Sequence, residues 1–588
     1  MAIERLLDQL EITQIVNHSS DAELTYQFKH TLTQETVYRS LLRTKRRETH
    51  GQVARVYEEL YADRLDEYAP VLAQHFAEAG DDVKTLEYAT RAGDAAARIS
   101  AHAEAVVFYS QALQIAKGAS APDPSPLRDL YLKLGRVFEV SGNYDAALRN
   151  YEEMESLAHE RGDRRMELGS LMARATVYAI PSIRSGSIES EALSNRAMLL
   201  AQELGDRPAE ARILWNLMLA HSRISLHYEQ ALNYGEMSLA IAREMNLPEQ
   251  LAYTLNDLSP IYVSGGQVER GKAANQEARQ MWQAMNNLPM LSDNLGYKTM
   301  THTAAAEYQE AITNSLAHLE LSRKIGSLWG EAFSQTWVGT AYVELGFIDS
   351  AIAVMENAIR VGEMVFPPTL VLTRADLAML LGQLGDLGRG IYLARLAYDK
   401  AIVAFPVARS WSGGVLGRLL IALGDVDAAE AVIREASADV DIGTIVPPFD
   451  ASIVLGLCEL ALARRDDANA LLISEAFVAK RRRLKLPSYL PTMLHLNARI
   501  RLAQGNLDQA ASVLVQARQL AEAQSARWSL WRILATLSEV QTRCSNVDEA
   551  RRSRTAARKQ LDFIVEHTPD ELRESFLGLP QVRALMET

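Results

Sequence analysis

The chain predicts an all-α solenoid, and three observations carry that prediction. First, a step from a turn residue to a small residue five places on recurs twelve times. It runs Ser100/Ala105, Gly142/Ala147, Ser187/Ala192, Leu226/Ala231, Gly266/Gly271, Ala306/Ala311, Gly346/Ala351, Gly385/Gly390, Gly424/Ala429, Arg465/Ala470, Gly505/Ala510 and Ser545/Ala550. After first spacings of 42 and 45 residues, the spacing stays between 39 and 41, and a fixed period of this size marks a solenoid. Second, seven residues beyond the small position stand Ala112, Ala278, Ala358, Ala397, Ala436, Ala517 and Ala557, on the same helical face. Third, the turn residue is Gly in six of the twelve copies, as a left-handed helix end favours. The unit is helix, turn, helix.

Two copies carry more detail. Tyr131, Leu134, Gly135, Phe138, Ala147 and Tyr151, and again Val338, Gly339, Tyr342, Ala351 and Ala358, resemble the large-Leu-Gly-Tyr and Ala-aromatic positions of the tetratricopeptide repeat. That resemblance implies a right-handed superhelix with ligands against the first helix of each unit. The period here exceeds the usual 34 residues, which helices about a turn longer or longer connecting loops absorb.

Residues 1–60 stand outside the period. Leu6, Leu7 and Leu10 form an amphipathic helix, Asn17-His-Ser-Ser-Asp21 reads as a polar loop, and Leu24 to Phe28 reads as a short strand. The strand leads into a helix with Val37, Tyr38, Leu41 and Leu42 inward. Phe28-Lys-His30, Tyr38, Leu41-Leu42, Arg47 and His50 resemble the winged-helix segment of STAND-type signalling ATPases, including those fused to class III adenylate or guanylate cyclase domains. The resemblance implies an ATPase core before this segment, absent from this sequence, and a sensor superhelix after it. It also implies that His30 is a relic nucleotide sensor, against the plainer reading of a histidine packed at a helix start. Residues 61–117 resemble that family's helical bridge together with a first repeat. Residues 118–126, Gly-Ala-Ser-Ala-Pro-Asp-Pro-Ser-Pro, read as a linker that cannot be helical. Repeats are expected over 127–567, with Pro367-Pro368, Pro447-Pro448 and Pro487 between units. A capping box at Thr568-Pro-Asp-Glu571 is expected to start one last helix over 568–588, in a tail similar to that of the same family.

Composition sets the class. The chain is 48% hydrophobic and 23% charged, with 61 Lys and Arg against 74 Asp and Glu. The balance of −13 argues against nucleic acid as a general partner. Cys458 and Cys544 stand far apart without metal-ligand neighbours, as buried thiols in a reducing compartment do. With no signal-like or membrane-length apolar run, a cytoplasmic protein is expected.

Catalytic candidates are lacking. Gly266-Gln-Val-Glu-Arg-Gly271-Lys272 follows a phosphate-loop pattern until Ala273, which has no hydroxyl for a metal, and it sits on the repeat's own turn. No metal-ligand spacing or nucleophile elbow appears, so no enzyme activity, cofactor or metal is expected. The basic runs Lys480-Arg-Arg-Arg483 and Arg551-Arg552 lack interleaved aromatics and read as solvated faces.

The groove remains. Positions fifteen and eleven residues before the small residue should point inward, placing Asn216, Asn256 and His495 in one column and Arg418, Glu459 and Arg499 in the next. Adjacent asparagines offer donor and acceptor to an extended peptide, against the plainer reading of a solvated wall. The expected partners are a protein or peptide along the groove, a small-molecule effector, or a separate ATPase or cyclase subunit docking on residues 1–60. A third reading is a fragment of a maltose-activator-type transcriptional regulator, whose repeats are similar.

Overall fold

Nine of the repeat's turn residues close their helices in the left-handed region. Gly142, Gly266, Ala306, Gly346, Gly385, Gly424, Arg465, Gly505 and Ser545 have φ between 56° and 96°. At Gly346 the amide donates to the Val343 carbonyl and the Phe347 amide to the Tyr342 carbonyl, both at 2.9 Å, which satisfies the last carbonyls of the helix. The computed structural model describes residues 2–19, 25–99, 101–118, 125–180, 186–223, 227–365, 367–438 and 449–587. The turn residues Ser100 and Leu226, and Pro447-Pro448, lie outside these.

The small residues lie where neighbouring helices approach most closely. Ala105, Ala147, Ala231, Ala311, Ala351, Ala429, Ala470 and Ala510 are fully buried, as are all seven alanines of the second column. A Cβ on Gly271 would meet the Ser259 carbonyl oxygen at 2.7 Å, and one on Gly390 the Ala378 oxygen at 2.8 Å. Those two crossings therefore admit no side chain. The third copy corrects the expected register, because Ala192 is exposed and the fully buried Ser190 takes its place. Serine is small enough for the crossing, and its hydroxyl donates to the Ala175 carbonyl at 3.0 Å.

The result is an all-α helical-repeat protein, in two compact units of residues 1–173 and 174–588. In the first unit, helix Ala2–Ile12 precedes a hairpin in which Val16–Ser19 pairs antiparallel with Thr25–Phe28. Asn17 and His18 are thus strand and not loop. Helix Thr31–Ser40 has no buried residue. Val37, Leu41 and Leu42 are 46%, 38% and 75% exposed, contrary to the inward face expected of them, because among the described residues no element covers that side. Tyr38 alone turns in, with its hydroxyl 3.0 Å from His50 Nε2. The expected linker is shorter than 118–126: Gly118 ends helix His102–Gly118, and Ser125 and Pro126 begin helix Ser125–Val140. Residues 119–124 lie outside the described residues.

In the second unit one apolar core runs from Ala306 to Leu585, and the repeats return onto themselves. A Cβ on Gly266 would lie 2.9 Å from Leu484 Cα, and one on Gly346 3.1 Å from Ile564; each partner belongs to the unit five repeats on. The Asp349 amide donates to the His567 carbonyl at 2.8 Å. Phe347 packs edge-on against Phe563 at 5.3 Å, and the Ser575 hydroxyl donates to the Leu384 carbonyl at 2.9 Å. The end of the chain departs from the expected capping box. Thr568 is buried and donates back to the Ile564 carbonyl at 2.7 Å, which leaves Pro569 as the cap of helix Asp570–Leu577. A second short helix, Pro580–Met586, follows.

Candidate functional site

Where the repeats return, six successive first helices surround a cavity of about 130 Å³. They are Val338–Leu345, Pro367–Gln383, Arg409–Leu423, Asp450–Ala463, Leu490–Ala503 and Arg527–Arg543. The ring closes through polar bonds from the sixth helix to the first two. Ser529 donates to Glu344 at 2.8 Å, and the Trp528 indole to Gln383 at 3.1 Å.

The cavity walls carry charge that is only partly balanced locally. Arg418 donates twice to Glu459, at 3.0 and 3.1 Å, and that pair is self-contained. Among the described residues Asp376 accepts the Trp411 indole N–H alone, at 2.9 Å, and burial pushes its carboxyl up to about 7. Burial also raises Glu344. Arg532 lies 4.2 Å over the Trp528 ring and donates to the Trp528 carbonyl at 2.9 Å; burial lowers it to about 9. His495 shares a 2.8 Å bond with the Thr536 hydroxyl, and burial, with Arg499 and Arg532 adding to it, lowers the imidazole to about 3. It is neutral at pH 7.

Of the residues expected in the groove, Arg418 and His495 line this cavity. Glu459 stands behind Arg418 as its counter-ion, and Arg499 is exposed. Asn216 and Asn256 do not face a groove: both are fully buried and bonded to other side chains. Asn216 accepts from Thr176 at 2.8 Å. Asn256 donates to Asp293 at 2.8 Å and accepts from Asn294 at 3.0 Å. These asparagines cross-link neighbouring first helices, which is why a polar residue is tolerated there. Beside them Asp257 accepts from the Trp215 indole at 2.9 Å and from Arg223 at 2.7 Å.

Glu344, Asp376, Trp411, Trp528 and Arg532 are cavity residues that the two inward columns missed. One further turn of the same stripe finds most of them: Trp411 and Arg532 stand eighteen residues before their small residues, and Glu344 seven before its own.

The remaining motifs fall elsewhere. His30 is exposed and caps helix Thr31–Ser40 through its backbone alone. Arg47 and His50 dock on the helix Leu65–Ala79: Arg47 donates to the Ala79 carbonyl at 2.9 Å, and His50 meets His75 at 2.7 Å. Lys272 lies on the helix Val268–Ala284 and pairs with Glu307 at 2.7 Å. The run Lys480–Arg483 is not wholly solvated, because Arg481 is 1% exposed and bonded to Asp450. Among the described residues no group of three His, Cys, Asp or Glu could hold a metal ion, and no helix is long and apolar enough to cross a membrane.

No protein-family model and no curated protein matches this chain. Among solved structures it is similar to a STAND protein with a tetratricopeptide-repeat sensor from Pyrococcus horikoshii, at 13% identity and a TM-score of 0.38, covering 66% of this chain and 54% of that one. It is similar to BtubC from P. vanneervenii at 19% identity and a TM-score of 0.30, covering 42% of this chain and 93% of that one. It is also similar to a Rap protein complexed with competence and sporulation factor, at 10% identity and a TM-score of 0.32, covering 75% of this chain and 98% of that one.

Proposed function

We propose that this chain is a non-enzymatic helical-repeat sensor that holds a small effector inside its closed turn. One observation carries the reading: six first helices surround a cavity in which the buried Asp376 accepts from an indole N–H and has no basic partner among the described residues. At about 130 Å³ the cavity suits a molecule about the size of a small ring compound, and an extended peptide does not fit it. A peptide or protein partner would therefore engage the repeats outside this turn. An effector touching the first and sixth helices together favours the closed turn over an open one, and so shifts the population between them.

With the front segment's resemblance to STAND-type ATPases, the chain reads as the sensor and interaction region of a STAND-like signalling system in the cytoplasm. The exposed apolar side chains of residues 1–60 support a second reading, a subunit of a split ATPase or cyclase regulator. Leu6, Ile12, Leu32 and Leu42 are 60% to 80% exposed there, and an ATPase-bearing chain docked on them would bury them.

The test is native mass spectrometry of the purified chain incubated with a small-metabolite extract, followed by hydrogen exchange of the loaded protein. A retained small molecule that protects residues 338–383 and 527–543 is expected. Protection confined to other repeats would overturn the closed-turn reading.

A further inference from the structure

The chemistry of the cavity narrows the effector's class; this step rests on the closed-turn reading above. Three aromatic side chains line the space. Trp411 and Tyr489 stand as perpendicular walls, with ring centroids 6.3 Å apart at 81°, and Trp528 lines the space with its ring already overlain by Arg532 at 4.2 Å and stacked with Phe576 at 5.9 Å. Each wall is fixed by a bond to its neighbours. The Trp411 indole donates to Asp376 and the Trp528 indole to Gln383. Tyr489 is held in the left-handed region at φ 63°, with the buried Arg481 guanidinium 5.9 Å from its ring.

The charges point to one sign. Arg418 is satisfied by Glu459, and Arg532 and Glu344 attract one another, which leaves Asp376. Among the described residues Asp376 has no basic partner, and its bond is to an indole N–H. Aromatic faces attract cations through their quadrupoles, and converging aromatic rings are the arrangement by which proteins hold substituted ammonium groups. An anionic ligand would instead meet the Asp376 carboxylate, and a neutral apolar one would leave it buried without a counter-charge.

We propose that the closed-turn cavity holds an alkylammonium group, in which the Trp411 and Tyr489 rings flank the cation, Asp376 balances it, and Arg532 takes the carboxylate of a zwitterionic ligand. The buried, proton-retaining state of Asp376 fits this assignment, because a bound cation would restore its ionisation. The volume fits a molecule of about eight non-hydrogen atoms, the size of a methylated amino acid.

The experiment titrates the full chain with three probes, glycine betaine, tetramethylammonium and 3,3-dimethylbutanoate, by calorimetry and tryptophan fluorescence. The third probe has the shape and carboxylate of the first, with carbon in place of the charged nitrogen. Glycine betaine is expected to bind at least about tenfold more tightly than 3,3-dimethylbutanoate, and tetramethylammonium to compete with it. Asp376→Asn should weaken both ammonium probes about tenfold or more, and Arg532→Met should weaken glycine betaine while sparing tetramethylammonium. Equal binding of glycine betaine and its carbon isostere would overturn the proposal, as would no binding of either ammonium probe at about 10 mM. The isostere comparison uses the unaltered chain, so it depends on no variant folding. Should a molecule of other chemistry be retained in the mass-spectrometric test, the ammonium assignment falls and the sensor reading stands.

Discussion

Removing the charge of Asp376 should stabilise the closed turn at high pH and leave it unchanged at low pH. In the folded chain burial lifts this carboxyl from an ordinary 3.8 to about 7, so the folded state holds its proton through a range in which the unfolded chain has released it. The stability linked to that proton is complete below about pH 4 and is lost as the pH rises through 7. About three pH units at about 1.4 kcal/mol each put the loss on the order of 4 kcal/mol. Glu344, also raised by burial, acts with the same sign. His495, lowered to about 3, opposes it, because the unfolded imidazole takes up its proton first as the pH falls below about 6.5. Comparing Asp376→Asn with the unaltered chain cancels both, since His495 and Glu344 are present in each. Long repeat arrays do not unfold in one step, so the measure is local: amide exchange of the helix Pro367–Gln383 at pH 5 and pH 8, corrected for intrinsic rates. The variant should be better protected at pH 8, with the gap less than half as large at pH 5. A gap of the same size at both would mean that Asp376 ionises as in water, and the argument from its burial would fail.

Two further substitutions probe the scaffold. Ala351→Leu places a branched side chain at a fully buried helix crossing and should destabilise its repeat by roughly 1–3 kcal/mol, read as the loss of exchange protection between residues 328 and 365. At the front, Leu32→Ser and Leu42→Ser alter side chains 80% and 75% exposed and should change the melting of the isolated chain by less than about 0.5 kcal/mol. A marked loss from either would show that the face is already covered by the protein itself, and the split-regulator reading would lose its support.

The period was legible because a close helix crossing tolerates few residues and a left-handed turn favours one, so both leave a mark at fixed spacing. The third copy was misread for the same reason. Ala192 looks like the small residue, but Ser190 is as compact and supplies its own hydrogen bond. The first strand was hidden because Asn17 and His18 show no apolar alternation; it is specified by pairing with Thr25–Phe28, not by its own composition. Val37, Leu41 and Leu42 read as a buried face because an apolar stripe says that something should cover it, never what does. The cavity was half legible. Arg418 and His495 follow from the helical stripe, but Glu344 and Arg532 become neighbours only because the repeats return after five units, and nothing local encodes that return.

The closure itself is balanced in a way that suits a switch. The turn is held at its seam by the Asp349–His567 backbone bond, the Ser529–Glu344, Trp528–Gln383 and Ser575–Leu384 bonds, and the packing of Phe347 on Phe563 and His567. Each hydrogen bond contributes about 0.5–1.5 kcal/mol, so together they contribute a few kcal/mol. Against them stands the burial of Asp376 without a cation, on the order of 4 kcal/mol from the shift of its carboxyl. A cation bound beside Asp376 removes the opposing term and leaves the seam intact. Its differential affinity for the closed turn is then largely the relief of that buried charge, which is the quantity a ligand needs to shift an equilibrium. A ligand lacking the cation fills the same space without that relief, and the turn should respond to it far less.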